Sequence, residues 1–325
     1  MTTTKNRSAW IKAGTAVEAT SAREVIQQAG LDWTVHLHEM QAYVDSSVNQ
    51  LESVRDYYPI ENKRAVLRVN KDNNNQVIGV VGKNYKVFQN EEVFGSLDSL
   101  IDSGEARYTA AGEYDNGAKV WMLMALPREM EIMGDPHAAF LLARTSHDGS
   151  SSVIIRPIIE RLFCSNQINR VFKAKNKDHT YTLRHTSNAE LSVSEMRNLL
   201  DLTYTSVETY TNLANTLLQR DADRAKAIAF FKKVWALPAH IENAPIELLS
   251  KGEKNARARA NTARHKAMSI FTESETQENI RNTEFGLWQA VVEYADHHTT
   301  RDSSIATIAG RNDGIKLRAL ELLGV

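Results

Sequence analysis

A chain of 325 residues with 42% hydrophobic and 24% charged side chains can bury one large core or two modest ones, which excludes wholesale disorder and collagen-like or disulfide-scaffold classes. Its formal net charge of -1 gives no long-range attraction for nucleic acid, so any such affinity has to come from locally gathered Lys and Arg. The single cysteine, Cys164, cannot form an internal disulfide or by itself anchor a thiolate zinc site, so a reducing, cytoplasmic compartment is the expectation.

Residues 1–20, rich in Thr, Ala and Lys without apolar periodicity, are expected to be a loose terminus. They lack an apolar signal-peptide core, and no window reaches the roughly 18 apolar residues of a membrane span. Ala22 to Ala29 predicts a short helix ended by Gly30. From Ala65 to Ile155 short β-branched and aromatic runs alternate with turn residues, the pattern of hairpins. The runs RAVLRV and VIGVVGKNYKVFQ flank KDNNNQ as a first hairpin, and Asn90 is placed as the cap of a helix over EEVFGSLDSLID that closes near Gly104. A second hairpin joins EARYTAAGEY to AKVWMLMAL through Asp115-Asn116-Gly117, where Asn-Gly supplies the positive φ of a tight turn. A third joins AAFLLART to SSVIIRP through His147-Asp148-Gly149.

After Pro157 the spacing of Ile158, Ile159, Leu162 and Phe163 predicts one face of a helix over 158–172, with Pro157 in its first turn. From Ser192 on, Leu199, Leu202, Val207, Tyr210, Leu213, Leu217, Ile228, Phe231, Val234 and Trp235 follow a 3.6-residue repeat. The fold class read from this is α+β: an antiparallel hairpin sheet with packing helices over 21–190, then a mainly α-helical region over 191–325. Between the helices, KGEKNARARANTARHK (251–266) reads as a mobile loop or a solvated helix.

No phosphate-cradling, nucleophile-elbow or zinc-helix motif is present. Ser146-His147-Asp148 names the members of a hydrolytic triad, but neighbours in one turn cannot form that relay, so a hydrogen-bonded hairpin turn is expected there. Cys164, His179 and His185 match no standard zinc spacing, and a structural Cys164 is expected; His36 and His38 share a strand face and are expected in solvent. Neither a catalytic residue nor a metal nor a cofactor is assigned.

Two basic segments remain. Arg156 to Arg184 holds seven Lys or Arg against Glu160 and Asp178, with Phe163, Phe172 and Tyr181 interleaved; Lys251 to Lys266 holds six against Glu253. Cations neutralise phosphates while aromatic faces stack bases, so Arg156, Arg161, Arg170, Lys173, Lys175, Lys177, Arg257, Arg259 and Arg264 are the candidate nucleic-acid contacts. The bland alternative is that the aromatics are core and the charges a solvated face or, near a helix end, partners of its dipole.

The segments GLDWTVH (30–36), VVGKNYKVFQNEEVFGSLDSLI (80–101), the Asn116-Gly117 hairpin, LLARTSHDGSSSVIIRPIIERLFCSNQI (141–168), NTEFGLWQAVVEYADHH (282–298) and IKLRALELL (315–323) resemble the phage/plasmid-like protein family, a domain of unknown function in phages, plasmids and prophages. Arg161-Leu162-Phe163-Cys164-Ser165-Asn166 departs from that family's Arg, two small aliphatics, Cys and Asn, and the resemblance carries over no catalytic residue. In architecture, residues 60–175 are similar to phage single-strand annealing proteins of the Red-beta, Erf and RecT kind, which lay single-stranded DNA in a basic groove and form rings or filaments. These resemblances imply a homo-oligomeric single-stranded DNA binding protein of a mobile element, active in annealing or recombination. A host-takeover or anti-defence factor that binds a host protein, and a nuclease or nucleotide-modifying enzyme with a carboxylate cluster, are the alternatives.

Overall fold

The computed structural model describes residues 9–47, 53–72, 74–132, 134–161, 166–168, 173–174, 177–178, 180–186, 193–299 and 312–325. The fold is α+β, with antiparallel sheets in the N-terminal half and helices in the C-terminal half. Residues 9–17, expected as part of a loose terminus, are instead built into the fold: helix α1 (Ala9–Ala13) buries Trp10, strand β1 (Thr15–Ala16) pairs with the main sheet, and Val17 is buried. Helix α2 (Ala22–Gln28) follows, capped by Ser21 and ended by Gly30 (φ +67°) where the sequence placed it.

The main sheet has the order β1-β5-β6-β7-β8-β12, where β5 is Arg107–Tyr114, β6 Lys119–Ile132, β7 Asp135–Ser146, β8 Val153–Arg161 and β12 Tyr181–Leu183; β9 (Asn166–Ile168) also pairs with β8. The β5–β6 and β6–β7 and β7–β8 pairs are sequential antiparallel neighbours, because turn residues rather than crossovers join them. Asn116 (φ 57°) and Gly117 (φ 85°) form the expected turn, closed by Ala118 N donating to Asp115 O at 3.1 Å.

Both faces of this sheet are covered. Val120, Met122, Met124, Leu141, Ala143, Ile155 and Ile159 enter the large core, while Trp121, Leu123, Leu142 and Ile158 form a second cluster under Trp10 of α1. That explains the correction at residues 158–161. Ile158 and Ile159 are adjacent not because they share a helix face but because they point to opposite, equally buried faces of β8. Pro157 pairs opposite Leu141 within this strand; on the other edge β12 reaches Ile155 and β9 begins at Ile159, so the missing N–H falls at the seam between them. Residues 162–165 and 169–172 of the expected helix lie outside the described residues.

A second sheet, β2-β3-β4, consists of Thr34–Ser47, Ser53–Val69 and Gln76–Gly82. Its inner end packs into the large core through Val35, Val66 and Val81. Beyond Lys63 the strand β4 no longer accompanies β3, and β2 and β3 continue as a two-stranded arm paired from Gln41↔Pro59 to Ser47↔Ser53. The helix after β4 is split into α3 (Asn90–Gly95) and α4 (Asp98–Asp102). Its cap is Gln89 rather than Asn90: Gln89 N donates to Glu92 Oε2 at 3.3 Å, and the Asn90 side chain is buried, donating to Leu31 O. Strands β10 (Lys173–Ala174) and β11 (Lys177–Asp178) form a small hairpin.

The helical half contains α5 (Val193–Leu218), α6 (Arg224–Val234), α7 (Ala239–Asn243), α8 (Lys251–Glu273), a 3-10 turn over Glu275–Ile280, α9 (Glu284–His297) and α10 (Asp313–Leu322). Helix α9 is buried almost all round, as its sequence FGLWQAVV allows, with α5, α8 and α10 packed against it, while α6 packs on α8 and α10 and α7 packs on α8. One hydrophobic cluster runs from Leu141 and Ile155 of the sheet through Tyr210 to Trp288, so sheet and helices share a core.

Candidate nucleic-acid interface

Three places gather polar or aromatic groups. The first is the turn after β7. Asp148 accepts from Ser146 Oγ (3.0 Å), Ser150 N (2.9 Å) and Lys119 Nζ (3.0 Å), and these donors hold its carboxyl down at about 2 against the opposing effect of burial. His147 is buried. Its Nε2 lies 3.0 Å from Asn90 Oδ1, and because the Asn90 amide nitrogen already donates to Leu31, the histidine donates there and carries its proton on Nε2. Nδ1 has no partner among the described residues, and burial, with His185 and Arg68 nearby, pushes the imidazole down to about 4. Among the described residues no hydrogen bond joins His147 to Ser146 or Asp148, so the three adjacent residues form a turn and not a relay. Gly79 of β4 presses on this turn, with a built Cβ 2.6 Å from Asp148 Cα.

Beside it, Trp33 Nε1 donates to Glu113 Oε2 (3.0 Å), and Arg68 donates to Glu113 Oε1 (2.7 Å) and Asn70 Oδ1 (2.8 Å) while lying 4.4 Å over the Trp33 ring. These groups border an open cleft of about 450 Å³ with the Asp32–Lys71 ion pair on its rim. Arg68 is neutralised by Glu113, and the cleft holds no surplus positive charge for phosphate.

The second place is the arm. Tyr43 and Tyr57 face each other across the strands with ring centroids 6.4 Å apart, 57% and 58% exposed, and Arg55 lies 5.1 Å over Tyr43 while paired with Asp45. Tyr58 and Val44 are exposed on the opposite face. Exposed rings beside a guanidinium are what bases stack on.

The third is the pair α6 and α8, which pack together. They carry ten Lys or Arg against Glu253 and Glu273, an excess of eight in a chain of net charge -1. The segment 251–266 is a helix, begun by a capping box in which Ser250 Oγ accepts from Glu253 N and Glu253 accepts from Ser250 N. Lys251, Asn255, Arg259, Thr262 and Lys266 recur at i, i+4, i+8, i+11 and i+15, so one exposed face holds three cations and no acid.

The sequence-predicted contacts divide sharply. Arg156 and Arg161 are buried on β8, and Arg161, 1% exposed, donates to Thr276 O of the 3-10 turn, so it ties the sheet to the helices. Arg257 donates to Ala244 O (2.6 Å), and Arg264 holds Glu242 through both oxygens (2.9 and 2.8 Å) and Trp235 O (2.7 Å). Arg259 faces solvent. Lys173 and Lys177 lie on the β10–β11 hairpin, and Arg170 and Lys175 lie outside the described residues. Tyr181 packs against the large core, as the bland alternative has it. Sequence reasoning missed the arm, whose mixed polar strands and Pro59 give little strand signal, and it did not join α6 to α8.

Among the described residues no three His, Cys, Asp or Glu side chains converge as metal ligands, and no helix is long and apolar enough to cross a membrane; Cys164 and His179 lie outside those residues. No curated protein and no solved structure matches the chain. The family described as Domain of unknown function (DUF932) matches residues 77–317, from β4 into α10, a span that holds the turn after β7 and helices α6 and α8 but not the arm, Trp33 or Arg68. A match over that much of the molecule makes the chain a member of the DUF932 family.

Proposed function

We propose that this protein binds single-stranded nucleic acid, with phosphates held along the outer face of α8 and bases stacked on the tyrosines of the arm. The observation that supports this is the row of Lys251, Arg259 and Lys266, aligned and exposed on one face of α8 with no acid among them. The preference for single strands rests on Tyr43 and Tyr57, since only unpaired bases offer faces to an exposed ring. In its finer form the reading is of a phage- or plasmid-encoded homo-oligomer that supports annealing or recombination in the bacterial cytoplasm. It requires no cofactor.

Fluorescence anisotropy with labelled oligo(dT) and a blunt duplex, each at two salt concentrations, tests the reading. Reversing Lys251, Arg259 and Lys266 to Glu should weaken oligo(dT) binding and flatten its salt slope by about 2, at roughly 0.7 per phosphate contact on a single strand. Equal affinity for duplex and oligo(dT), or no binding at low salt, sinks it.

A further inference from the structure

Helices α6 and α8 also enclose a groove of about 270 Å³ with an apolar floor of Ile228, Phe231 and Met268 and a rim of Arg224, Lys232 and Arg264. Ile228 is 55% exposed, although its helix neighbours Ala227, Phe230, Phe231 and Val234 are all buried. The groove lining holds no carboxylate, and Glu242, which Arg264 grips through both oxygens and Lys232 approaches at 3.6 Å, offsets one of the three rim cations, so the rim keeps a positive surplus. Arg224 has no ion-pair partner among the described residues.

We infer that this groove is a docking site for an acidic peptide segment of a partner protein that carries a large aliphatic or aromatic side chain, seated on Ile228 and Met268 with its carboxylates on Arg224 and Lys232. Charge complementarity selects an acidic partner, and the floor selects an apolar anchor. The same floor argues against a nucleic-acid occupant. Phe231 is 1% exposed, so no open ring face is offered to a base, and an aliphatic floor favours an apolar side chain over a nucleobase. The inference does not rest on the nucleic-acid reading, because the groove and the row Lys251, Arg259 and Lys266 lie on different faces of α8.

The test uses the full chain and three probes: a fluorescein-labelled ten-residue peptide of alternating Asp and Leu, its counterpart of alternating Asp and Ser, and unlabelled oligo(dT) as competitor. The Asp-Leu peptide should bind at least tenfold more tightly than the Asp-Ser peptide. Ile228→Asp, at an exposed position, should lose that advantage with the melting temperature unchanged; should it melt early, the pair Arg224→Glu and Lys232→Glu replaces it and should weaken binding at least tenfold. Equal binding of the two peptides, undiminished binding by the variants, or displacement of the peptide by oligo(dT) at its own binding concentration each overturns the inference. The last result would assign the groove to nucleic acid, and it is distinguishable from failure of the nucleic-acid reading, in which oligo(dT) does not bind at all.

Discussion

Gly117 carries two constraints at once. Its φ of +85° excludes a β-branched residue, and a built Cβ would stand 2.4 Å from the Arg68 guanidinium that stacks on Trp33 and pairs with Glu113. Only the first was legible, from Asn-Gly between two apolar runs; the second depends on a strand 49 residues away. Gly117→Val should therefore cost about 2–4 kcal/mol in urea unfolding, more than positive φ alone, and a cycle with Arg68→Ala should show a coupling of at least about 0.5 kcal/mol. His147 gives a pH dependence of definite sign. Its folded pKa of about 4 lies below the ordinary 6.5, so the unfolded chain binds more protons between those values and stability falls as pH falls through that window. Asp148, held at about 2, adds a further loss below its ordinary 3.8. Melts from pH 7 to pH 4 should show a decline of order 3 kcal/mol attributable to the histidine, and His147→Gln should flatten it. A pH-independent melting temperature over this range would refute the buried, neutral imidazole.

At the scale of elements, what was legible depended on whether each element's own residues signal it. The three hairpins with Gly- or Asn-bearing turns and the periodic helices were readable because turn chemistry and apolar spacing are local. The second half of β8, residues 158–161, was misread because burial on both faces removes alternation, and Ile-Ile pairs then fit a helix equally well. The arm was missed because Tyr43, Val44, Tyr57 and Tyr58, on both its faces, are exposed, so its sequence does not alternate between core and solvent; Pro59 sits beside the register shift between Glu39 and Gln41, where a strand tolerates it. Because the exposed tyrosines support no core, replacing Tyr43 and Tyr57 together by Ala should leave the melting temperature nearly unchanged. If bases stack there, oligo(dT) affinity should fall by about 1–3 kcal/mol per stacked base while duplex binding holds. Unchanged oligo(dT) affinity would remove the arm from the interface and leave α8 alone to support it.

For the whole molecule, the basic segments of the sequence met opposite fates that formal charge could not foretell. Arg161 and Arg259 are the same residue type in similarly basic stretches. One ends in the shared core between sheet and helices, and the other on an open helix face. The difference is decided by packing partners more than a hundred residues away, as in the bond from Arg161 to the Thr276 carbonyl. Burial of a guanidinium is tolerated only when its donors are satisfied, and removing it leaves buried acceptors without a donor. Arg161→Met should therefore destabilise the fold by about 1–3 kcal/mol or more, since Met fills the volume but donates nothing, and sheet and helices should loosen together because they share one core. Arg259→Met should leave stability within about 0.5 kcal/mol and lower the oligo(dT) salt slope by roughly 0.7. Parallel urea titrations and anisotropy at two salt concentrations measure both quantities on both variants. A stable Arg161→Met protein with weakened oligo(dT) binding would return this arginine to the interface, and a destabilised Arg259→Met protein would show that the outer face of α8 serves the fold.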